Sequence, residues 1–161
     1  MTVRAAIKRD VGAVVEMGQA MWEESPRYRG GLIRYDPEKA QAACEFLMER
    51  DDLCLLVSTA QEYVTPILPM QIPVAFAVGA VYAPLWSRDK QGWETEMYVK
   101  PPYRRGMRLY RLATALEGWA RDQGAREMNV GVSTGIDNEM VASFYRRLDY
   151  HDAQIGLVKV L

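Results

Sequence analysis

The sequence predicts an α/β (α+β) protein in which a mixed, mostly antiparallel and twisted sheet is flanked by about four helices. Apolar residues recur at helical spacing in four segments, and they alternate or run together in six shorter segments of strand length. Loops of hairpin length join the middle strands, so the sheet cannot be wholly parallel. The predicted element order is β-α-α-β-β-β-α-β-α-β, and 161 residues suit a single domain spanning 1–161.

The first strand and the first two helices occupy the N-terminal third of the chain. Alternating apolar residues from Val3 to Ile7 predict a strand, and Asp10 is expected to cap the helix that follows. The polar stretch 25–31 ends that helix and forms a loop. Asp36, which is followed by a proline, is expected to cap the second helix.

The rest of the chain alternates between strands and helices. Three strands come first, and the proline-rich stretch 61–73 is expected to be the loop of a hairpin. A helix that Gly124 ends then leads into the next strand, which completes a β-α-β unit. A last helix, capped by Asp137 or Asn138, precedes the final strand. The strands are predicted at 53–57, 74–82, 93–99, 128–132 and 153–160.

Charge and composition exclude several classes of protein. Twenty basic and 21 acidic residues give a net charge of −1, which argues against a nucleic-acid partner bound by counterion release. No apolar run approaches the roughly 18 residues that span a bilayer, and the N-terminus lacks the apolar core of a secretory signal. Cys44, Cys54 and His151 are too few for a disulfide framework or a zinc site. We therefore expect a cytoplasmic, metal-free protein without a membrane partner.

The stretch from Met97 to Leu112 has the pattern of a strand, a tight turn and a helix start. Five basic residues and no acidic residue lie between Lys100 and Arg111, and Gly106 stands where the helix is expected to begin. Free N–H groups and the helix dipole attract a phosphate there, and a glycine lets the phosphate approach the backbone. The pattern indicates an anion site suited to a pyrophosphate. Taken alone, a solvated basic helix start is the simpler interpretation.

Two motifs in this half of the chain resemble those of the GCN5-related N-acetyltransferase (GNAT) superfamily. The first is Met97-x-Val99-x-Pro101 followed by Tyr103-Arg104-Arg105-Gly106, and the second is Asn138, Val141, Tyr145, Asp149 and Tyr150, which match the spacing of Asn-x-x-Ala-x-x-x-Tyr-x-x-x-Gly-Phe. The resemblance extends over nearly the whole chain. It implies an N-acetyltransferase whose cosubstrate is acetyl-coenzyme A (acetyl-CoA).

The resemblance also implies where acetyl-CoA would bind. In the family it enters a V-shaped opening, here between the strand that ends at Val99 and the strand that begins near Met128. Its pantetheine arm pairs with the first of these strands as an additional strand would. The cofactor-binding residues implied in this sequence are Met97, Tyr98, Val99, Arg104, Arg105, Gly106, Met107, Arg108, Leu109 and Asn138.

Three side chains are candidates for catalysis. Tyr145 matches the tyrosine that protonates the departing thiolate in the family, although its spacing also suits a core aromatic residue. Glu94 and Glu96 could each accept the proton of the acceptor amine, directly or through water. Strand alternation places both glutamates on the face opposite Met97 and Val99, where a solvated strand face is an equally good interpretation. A water chain to bulk solvent remains an alternative to either glutamate.

The acceptor site in this family is lined by the loop after the first helix and by a turn between the middle strands. Here these segments supply Glu24, Arg27, Tyr28 and Trp86. Glu24 could attract a cationic amine and Arg27 would suit a carboxylate or phosphate on the acceptor, so the mixture does not choose between a small amine, an amino acid, an antibiotic and a protein terminus. A homodimer is compatible with the exposed aromatic residues. Nucleic acid is not an expected partner, and the net charge disfavours an acetyltransferase of aminoacyl-tRNA.

A second hypothesis is a catalytically weak or inactive GNAT-fold module that serves binding or assembly. Met107 and Leu109 stand where the family motif has small residues, which favours this alternative. The matching Tyr145 and the basic turn favour the enzyme.

Overall fold

The computed structural model describes residues 2–30, 33–65 and 68–153, together with 156, 158 and 159. Its sheet has five strands in sequential order, each antiparallel to the one before except the last, which runs parallel to its neighbour. The prediction of a mixed, mostly antiparallel sheet is confirmed. The strands are β1 (Thr2–Ala5), β2 (Leu53–Thr65), β3 (Leu68–Tyr82), β4 (Lys90–Val99) and β5 (Ala125–Asn129).

Helices cover both faces of the sheet. On one face α1 packs against β3 with residues such as Met17, and on the other face α3 packs against β3 and β4 with residues such as Leu112. Both side chains are fully buried. Because β2 and β3 are covered on two sides, their sequences read as nearly continuous apolar runs. The helices of the described residues are α1 (Val11–Glu24), α2 (Pro37–Met48), α3 (Arg108–Asp122) and α4 (Asn138–Arg146).

The hairpin formed by β2 and β3 is longer than the sequence predicts. Both strands continue through most of the stretch 61–73 that was expected to be a loop. Pro73 is accommodated because it pairs with Thr59 beside a bulge, where the register shifts and a ladder N–H is not required. Residues 66 and 67, between the two strands, lie outside the described residues.

Two strands near the C-terminus also differ from expectation. The strand predicted at 128–132 begins earlier, as β5, and ends at Asn129. Residues 154, 155, 157 and 160 of the predicted strand 153–160 lie outside the described residues, and the described residues 153, 156, 158 and 159 do not form a strand.

The predicted helix caps have mixed outcomes. The Asp36 carboxylate accepts from the Lys39 N–H at 3.0 Å, so that cap is confirmed. Asp10 precedes α1, but its side chain makes no capping bond. It is instead held by Arg4 and by the N–H of Ile7. Asp137, one of the two expected caps, stands at the N-cap position of α4, but its side chain makes no capping hydrogen bond.

Candidate active site

A bulge in β4 determines which side chains meet at the candidate site. Glu94 lies opposite Gly79 of β3, and Glu96 lies opposite Val78, so Thr95 is an additional residue without a counterpart. An additional residue reverses the alternation of the strand beyond it. Side chains on either side of Thr95 are therefore not related by simple alternation.

The bulge separates the two glutamates onto opposite faces of the sheet. A Cβ on Gly79 would meet Leu116 of α3, so Glu94, its partner, shares the α3 face. Met97 packs against the buried cluster on that same face. Glu96 pairs with Val78, which packs against the cluster under α1. The prediction that both glutamates oppose Met97 is wrong for Glu94 and holds for Glu96.

Tyr145 and Glu94 are in direct contact. The Tyr145 hydroxyl donates a hydrogen bond to Glu94 Oε2, and its oxygen lies 3.7 Å from the sulfur of Met97. The Tyr145 side chain is buried at 4% exposure. α4 therefore places Tyr145, the predicted proton donor, next to β4 at the position where the bulge turns the Glu94 side chain towards the Tyr145 hydroxyl.

Burial has the largest effect on the pKa values of Glu94 and Tyr145. Loss of solvent raises the pKa of Glu94 to about 7, although the hydrogen bond from Tyr145 opposes the shift. Nearby Glu96 adds to the rise through charge repulsion. Burial and the adjacent Glu94 also raise the pKa of Tyr145 well above its usual range. The phenol stays protonated at neutral pH, whereas the carboxyl is poised to gain or lose a proton.

Tyr150 and Glu117, which were not predicted as site residues, support the position of the Tyr145 ring. The ring of Tyr150 packs edge-to-face against that of Tyr145, with centroids 5.2 Å apart. The Tyr150 hydroxyl donates to Glu117 of α3 at 2.9 Å. Tyr150 stands at the last position of the second motif, which could have drawn attention to it. Glu117 carries no such signal in the sequence.

The edge of β4 beyond Trp93 is open. β5 pairs with β4 only from Lys90 to Trp93, and among the described residues no strand follows along Glu94–Val99. The two parallel strands thus leave a V-shaped opening in which backbone N–H and C=O groups of β4 can pair with an extended ligand. Met97, Tyr98 and Val99 line this edge. The Tyr98 and Val99 side chains are buried, so their contribution would come from the backbone.

The turn between β4 and α3 fits a pyrophosphate. Gly106 has a φ of +96°, and no atom lies within 4 Å of the position that a Cβ would take. Met107 precedes α3 without a side-chain cap, which leaves the first N–H groups of Arg108 and Leu109 for an external acceptor. Arg105 is exposed in the same turn. The turn therefore has an open backbone that could hold a diphosphate, although Met107 and Leu109 stand where the family motif has small residues.

Two arginines of the predicted cofactor set are directed at other protein groups. Arg104 donates to both carboxylate oxygens of Glu24 and to the Val99 carbonyl. Arg108 donates to Ser58 Oγ at 2.9 Å and to the Thr59 carbonyl at 3.0 Å. Asn138, also in that set, accepts from the Gly135 N–H at 2.9 Å.

The loop after α1 contacts the opposite wall of the opening. The Ser25 hydroxyl donates to the Thr134 carbonyl, and Arg27 donates to the Ser133 carbonyl at 3.3 Å. Tyr28 stacks on Trp22, with ring centroids 3.9 Å apart. Glu24 and Arg27 are therefore brought to the mouth of the opening, whereas the Tyr28 ring packs on Trp22 of α1.

Trp86 is placed apart from the other predicted acceptor residues. It is 93% exposed in the turn that leads into β4. Arg104 lies beyond the other end of this ten-residue strand, a span of about 30 Å at the usual rise. The length of β4 therefore separates Trp86 from the turn that carries Arg104.

Comparisons with known proteins agree with this geometry. The family model described as "Acetyltransferase (GNAT) family" matches residues 17–150. The aminoglycoside acetyltransferase AAC(6')-Iy, solved with a CoA-containing bisubstrate analogue, superposes with a TM-score of 0.73 at 16% identity, covering 99% of this chain and 97% of that chain. No curated protein sequence matches the chain.

Two further solved structures have the same fold. An aminoglycoside acetyltransferase from an uncultured soil metagenomic sample has a TM-score of 0.68 at 18% identity, covering 99% of this chain and 97% of that chain. A transcriptional regulator from Bacillus halodurans has a TM-score of 0.76 at 15% identity, covering 99% of each chain. Identities this low establish the fold and not the substrate. None of the helices in the described residues has the length and apolarity needed to cross a membrane.

Proposed function

Because this chain belongs to the acetyltransferase (GNAT) family, we propose that it transfers an acetyl group from acetyl-CoA to a primary amine of a small molecule or protein. One observation carries the proposal: the Tyr145 hydroxyl and the Glu94 carboxyl meet beside the unpaired edge of β4. A proton donor and a titratable carboxyl are the groups that aminolysis of a thioester needs at one place.

Binding of acetyl-CoA is supported by two features that lie next to each other along the chain. The open edge from Glu94 to Val99 offers backbone partners to the amide-containing pantetheine arm. The turn at Gly106 and the uncapped start of α3 would hold the pyrophosphate. Arg105 is placed to add a charge-assisted hydrogen bond to a phosphate oxygen. Bound acetyl-CoA supplies the activated acetyl group.

Each remaining part of the reaction has a candidate in this chain. Backbone N–H groups near Met97–Val99 would polarise the thioester carbonyl. Tyr145 would protonate the departing thiolate. The proton of the acceptor ammonium would pass to Glu94, to Glu96 or to water, because an amine attacks only when its lone pair is free.

The acceptor is expected to approach from the α1 face. Glu96 is a half-buried carboxylate on that face, and the loop formed by residues 24–28 lies at the mouth. A negative group beside the entrance favours a cationic acceptor. Polyamines, aminoglycosides and protein amines all carry such a charge. The expected cytoplasmic location and homodimer stay predictions, and light scattering of the purified protein tests the latter.

A binding or assembly module is the alternative. Met107 is 54% exposed at a position where the family motif has a small residue, and one structural neighbour is a transcriptional regulator. A side chain of this size at the turn could hinder a diphosphate. In that case the fold would be kept for a partner and not for turnover.

Acetyl transfer is tested by following the release of the free thiol from acetyl-CoA. The acceptor panel contains polyamines, aminoglycosides, amino-acid esters and peptides with free N-termini. We expect wild-type turnover on at least one cationic amine, with mass spectrometry finding one added acetyl group. Absence of turnover across the panel, with coenzyme A still bound, would support the module and contradict the enzyme.

A further inference from the structure

We propose that Glu94 is the proton source for Tyr145, so that the two side chains form a single acid relay and Glu96 alone serves the acceptor amine. The inference rests on the proposed acetyltransferase function and assigns its proton path. It separates two glutamates that lie only two positions apart in the sequence.

The Tyr145 phenol has one hydrogen. In the structure that hydrogen is donated to Glu94 Oε2, so it is directed into the carboxylate and away from any thiolate in the opening. If Glu94 is protonated, its own O–H can donate to the Tyr145 oxygen. The phenolic hydrogen is then free to point elsewhere. The protonation state of Glu94 therefore controls whether Tyr145 can act as an acid.

The Glu94–Tyr145 pair lies beside the open edge of β4. The bulge at Thr95 places Glu94 on the face that Met97 occupies, and the Tyr145 oxygen lies 3.7 Å from the Met97 sulfur. Met97 belongs to the part of β4 that has no neighbouring strand in the described residues. The free phenolic hydrogen would thus be released beside the edge where the thioester is expected. Glu96 is on the other face and cannot share this path.

Three further titratable groups face the Glu94–Tyr145 pair. They are Glu96 along β4, Glu117 from α3, and Tyr150 after α4. Charge repulsion from Glu96 favours the neutral form of Glu94, whereas Glu117 and Tyr150 act on Tyr145 and raise the pKa of its phenol. Burial acts in the same direction and raises the pKa of Glu94 to about 7. A usable fraction of Glu94 is therefore protonated near neutral pH.

The protons balance over one cycle. The acceptor ammonium loses its first proton to Glu96, which frees the lone pair that forms the new C–N bond. As the C–S bond breaks, Tyr145 gives its proton to the sulfur, and Glu94 gives its proton to the Tyr145 oxygen. The nitrogen loses its second proton to water, and Glu94 is reprotonated from solvent. The sum is ammonium plus thioester giving amide, free thiol and one proton, which Glu96 returns to water.

The pH dependence of kcat at saturating substrates distinguishes an acid relay from a base. The relay predicts that wild-type kcat declines as the pH rises above about 7, because Glu94 loses the proton that it must supply. Glu94→Gln should lower kcat about 10²-fold and remove this decline. Glu96→Gln is the matched control: it should lower kcat but retain the decline. Glu94→Gln and Tyr145→Phe combined should be no worse than Tyr145→Phe alone.

Other outcomes overturn the relay. A wild-type kcat that instead rises over this range, with the rise lost in Glu94→Gln, would make Glu94 the base. If the double variant loses kcat by the product of the two single-variant factors, Glu94 and Tyr145 act independently and the relay is wrong. Should Glu94→Gln fail to fold, kcat of the wild-type enzyme can be measured in mixtures of H₂O and D₂O. Transfer of two protons in the same step predicts that kcat depends on the D₂O fraction along a curve, whereas transfer of one proton predicts a straight line.

The relay and the proposed function fail in different ways. A wild-type protein that acetylates no amine of the panel contradicts the acetyltransferase, and the relay falls with it. An active wild-type enzyme whose pH decline persists in Glu94→Gln contradicts only the relay. Coenzyme A binding by Glu94→Gln, measured by calorimetry and expected to equal that of the wild type, confirms that the variant is folded.

Discussion

Glu24, the last residue of α1, accepts two hydrogen bonds of 2.5 Å from the guanidinium of Arg104, which lies in the turn between β4 and α3. The Tyr98 hydroxyl donates to the same carboxylate at 3.1 Å. The next residue, Ser25, donates to the Thr134 carbonyl on the opposite wall of the opening. The C-terminal end of α1 therefore joins both walls, and the acceptor loop is mechanically tied to the turn that would hold the cosubstrate.

The Glu24–Arg104 pair is expected to stabilise the fold modestly. Both side chains are about one-third exposed, so a double-mutant cycle with Glu24→Gln and Arg104→Ala should give a coupling of about 1 kcal/mol in urea unfolding. Hydrogen bonds from Arg104 lower the pKa of Glu24. The coupling should thus be full at neutral pH and disappear as the pH falls through that lowered pKa. A coupling that is constant down to pH 2 would contradict this account.

The Asp10 carboxylate should contribute more to the free energy of unfolding than the Glu24–Arg104 pair does. It is buried at 1% exposure and accepts from both terminal nitrogens of Arg4 and from the Ile7 N–H. Burial alone would raise the pKa of Asp10, but these hydrogen bonds lower it overall. Asp10→Ala strands the Arg4 charge and should cost about 3 kcal/mol, measured by urea unfolding. The loss should shrink as acid protonates Asp10 in the wild type; a cost below 1 kcal/mol would show that the pair is not structural.

Two glycine-to-alanine substitutions should change the stability of the fold in opposite directions. A Cβ at Gly79 would lie 2.5 Å from Leu116 Cδ1 and 2.9 Å from the Trp119 ring, so Gly79→Ala should destabilise by about 1–3 kcal/mol. At Gly118, inside α3, nothing lies within 4 Å of the added carbon. Gly118→Ala should therefore stabilise by about 0.5–1 kcal/mol. Thermal unfolding of both variants measures this, and a neutral Gly79→Ala would contradict the packing of α3 on β3.

Arg105→Ala should weaken acetyl-CoA binding about tenfold without changing stability, because the side chain is exposed and supplies one charge-assisted contact. Isothermal titration measures the Kd. Arg126→Ala is a matched control, since Arg126 is an exposed arginine that pairs with Asp89 near the start of β4. Equal weakening in both variants would mean that general charge, and not the turn, holds the phosphates. Comparison with 3′-dephospho-coenzyme A separates the pyrophosphate from the ribose phosphate.

Local sequence patterns predicted the elements that local forces decide. The β4–α3 unit, the Asp36 cap and the helix that carries Tyr145 all follow from periodicity and capping within a few residues. The resemblance of the second motif identified Tyr145 as a candidate, and the strand pattern identified Glu94 together with Glu96, although not Tyr145 and Glu94 as partners. These features need no knowledge of distant contacts.

Features that depend on strand pairing and long-range contacts could not be predicted in this way. The bulge at Thr95 exists only relative to β3, and it reverses the face of Glu94. The partner of Glu24 lies 80 positions away in the sequence, which spacing does not indicate. A proline usually indicates a loop or the end of a strand. Pro73 lies within β3 because the bulge beside it removes the need for a ladder N–H at that position.

The measurement that tests the central claim most directly is a comparison of wild type and Tyr145→Phe by titration with acetyl-CoA and by acetyl transfer. The hydroxyl lies beside the edge that would hold the cosubstrate, but the pairing groups of that edge are backbone N–H and C=O groups that Tyr145→Phe leaves in place, so the account predicts equal Kd values. It predicts a kcat for Tyr145→Phe that is lower by 10² or more, the contribution of a general acid. A variant that binds and transfers as well as the wild type would contradict the assignment of this site.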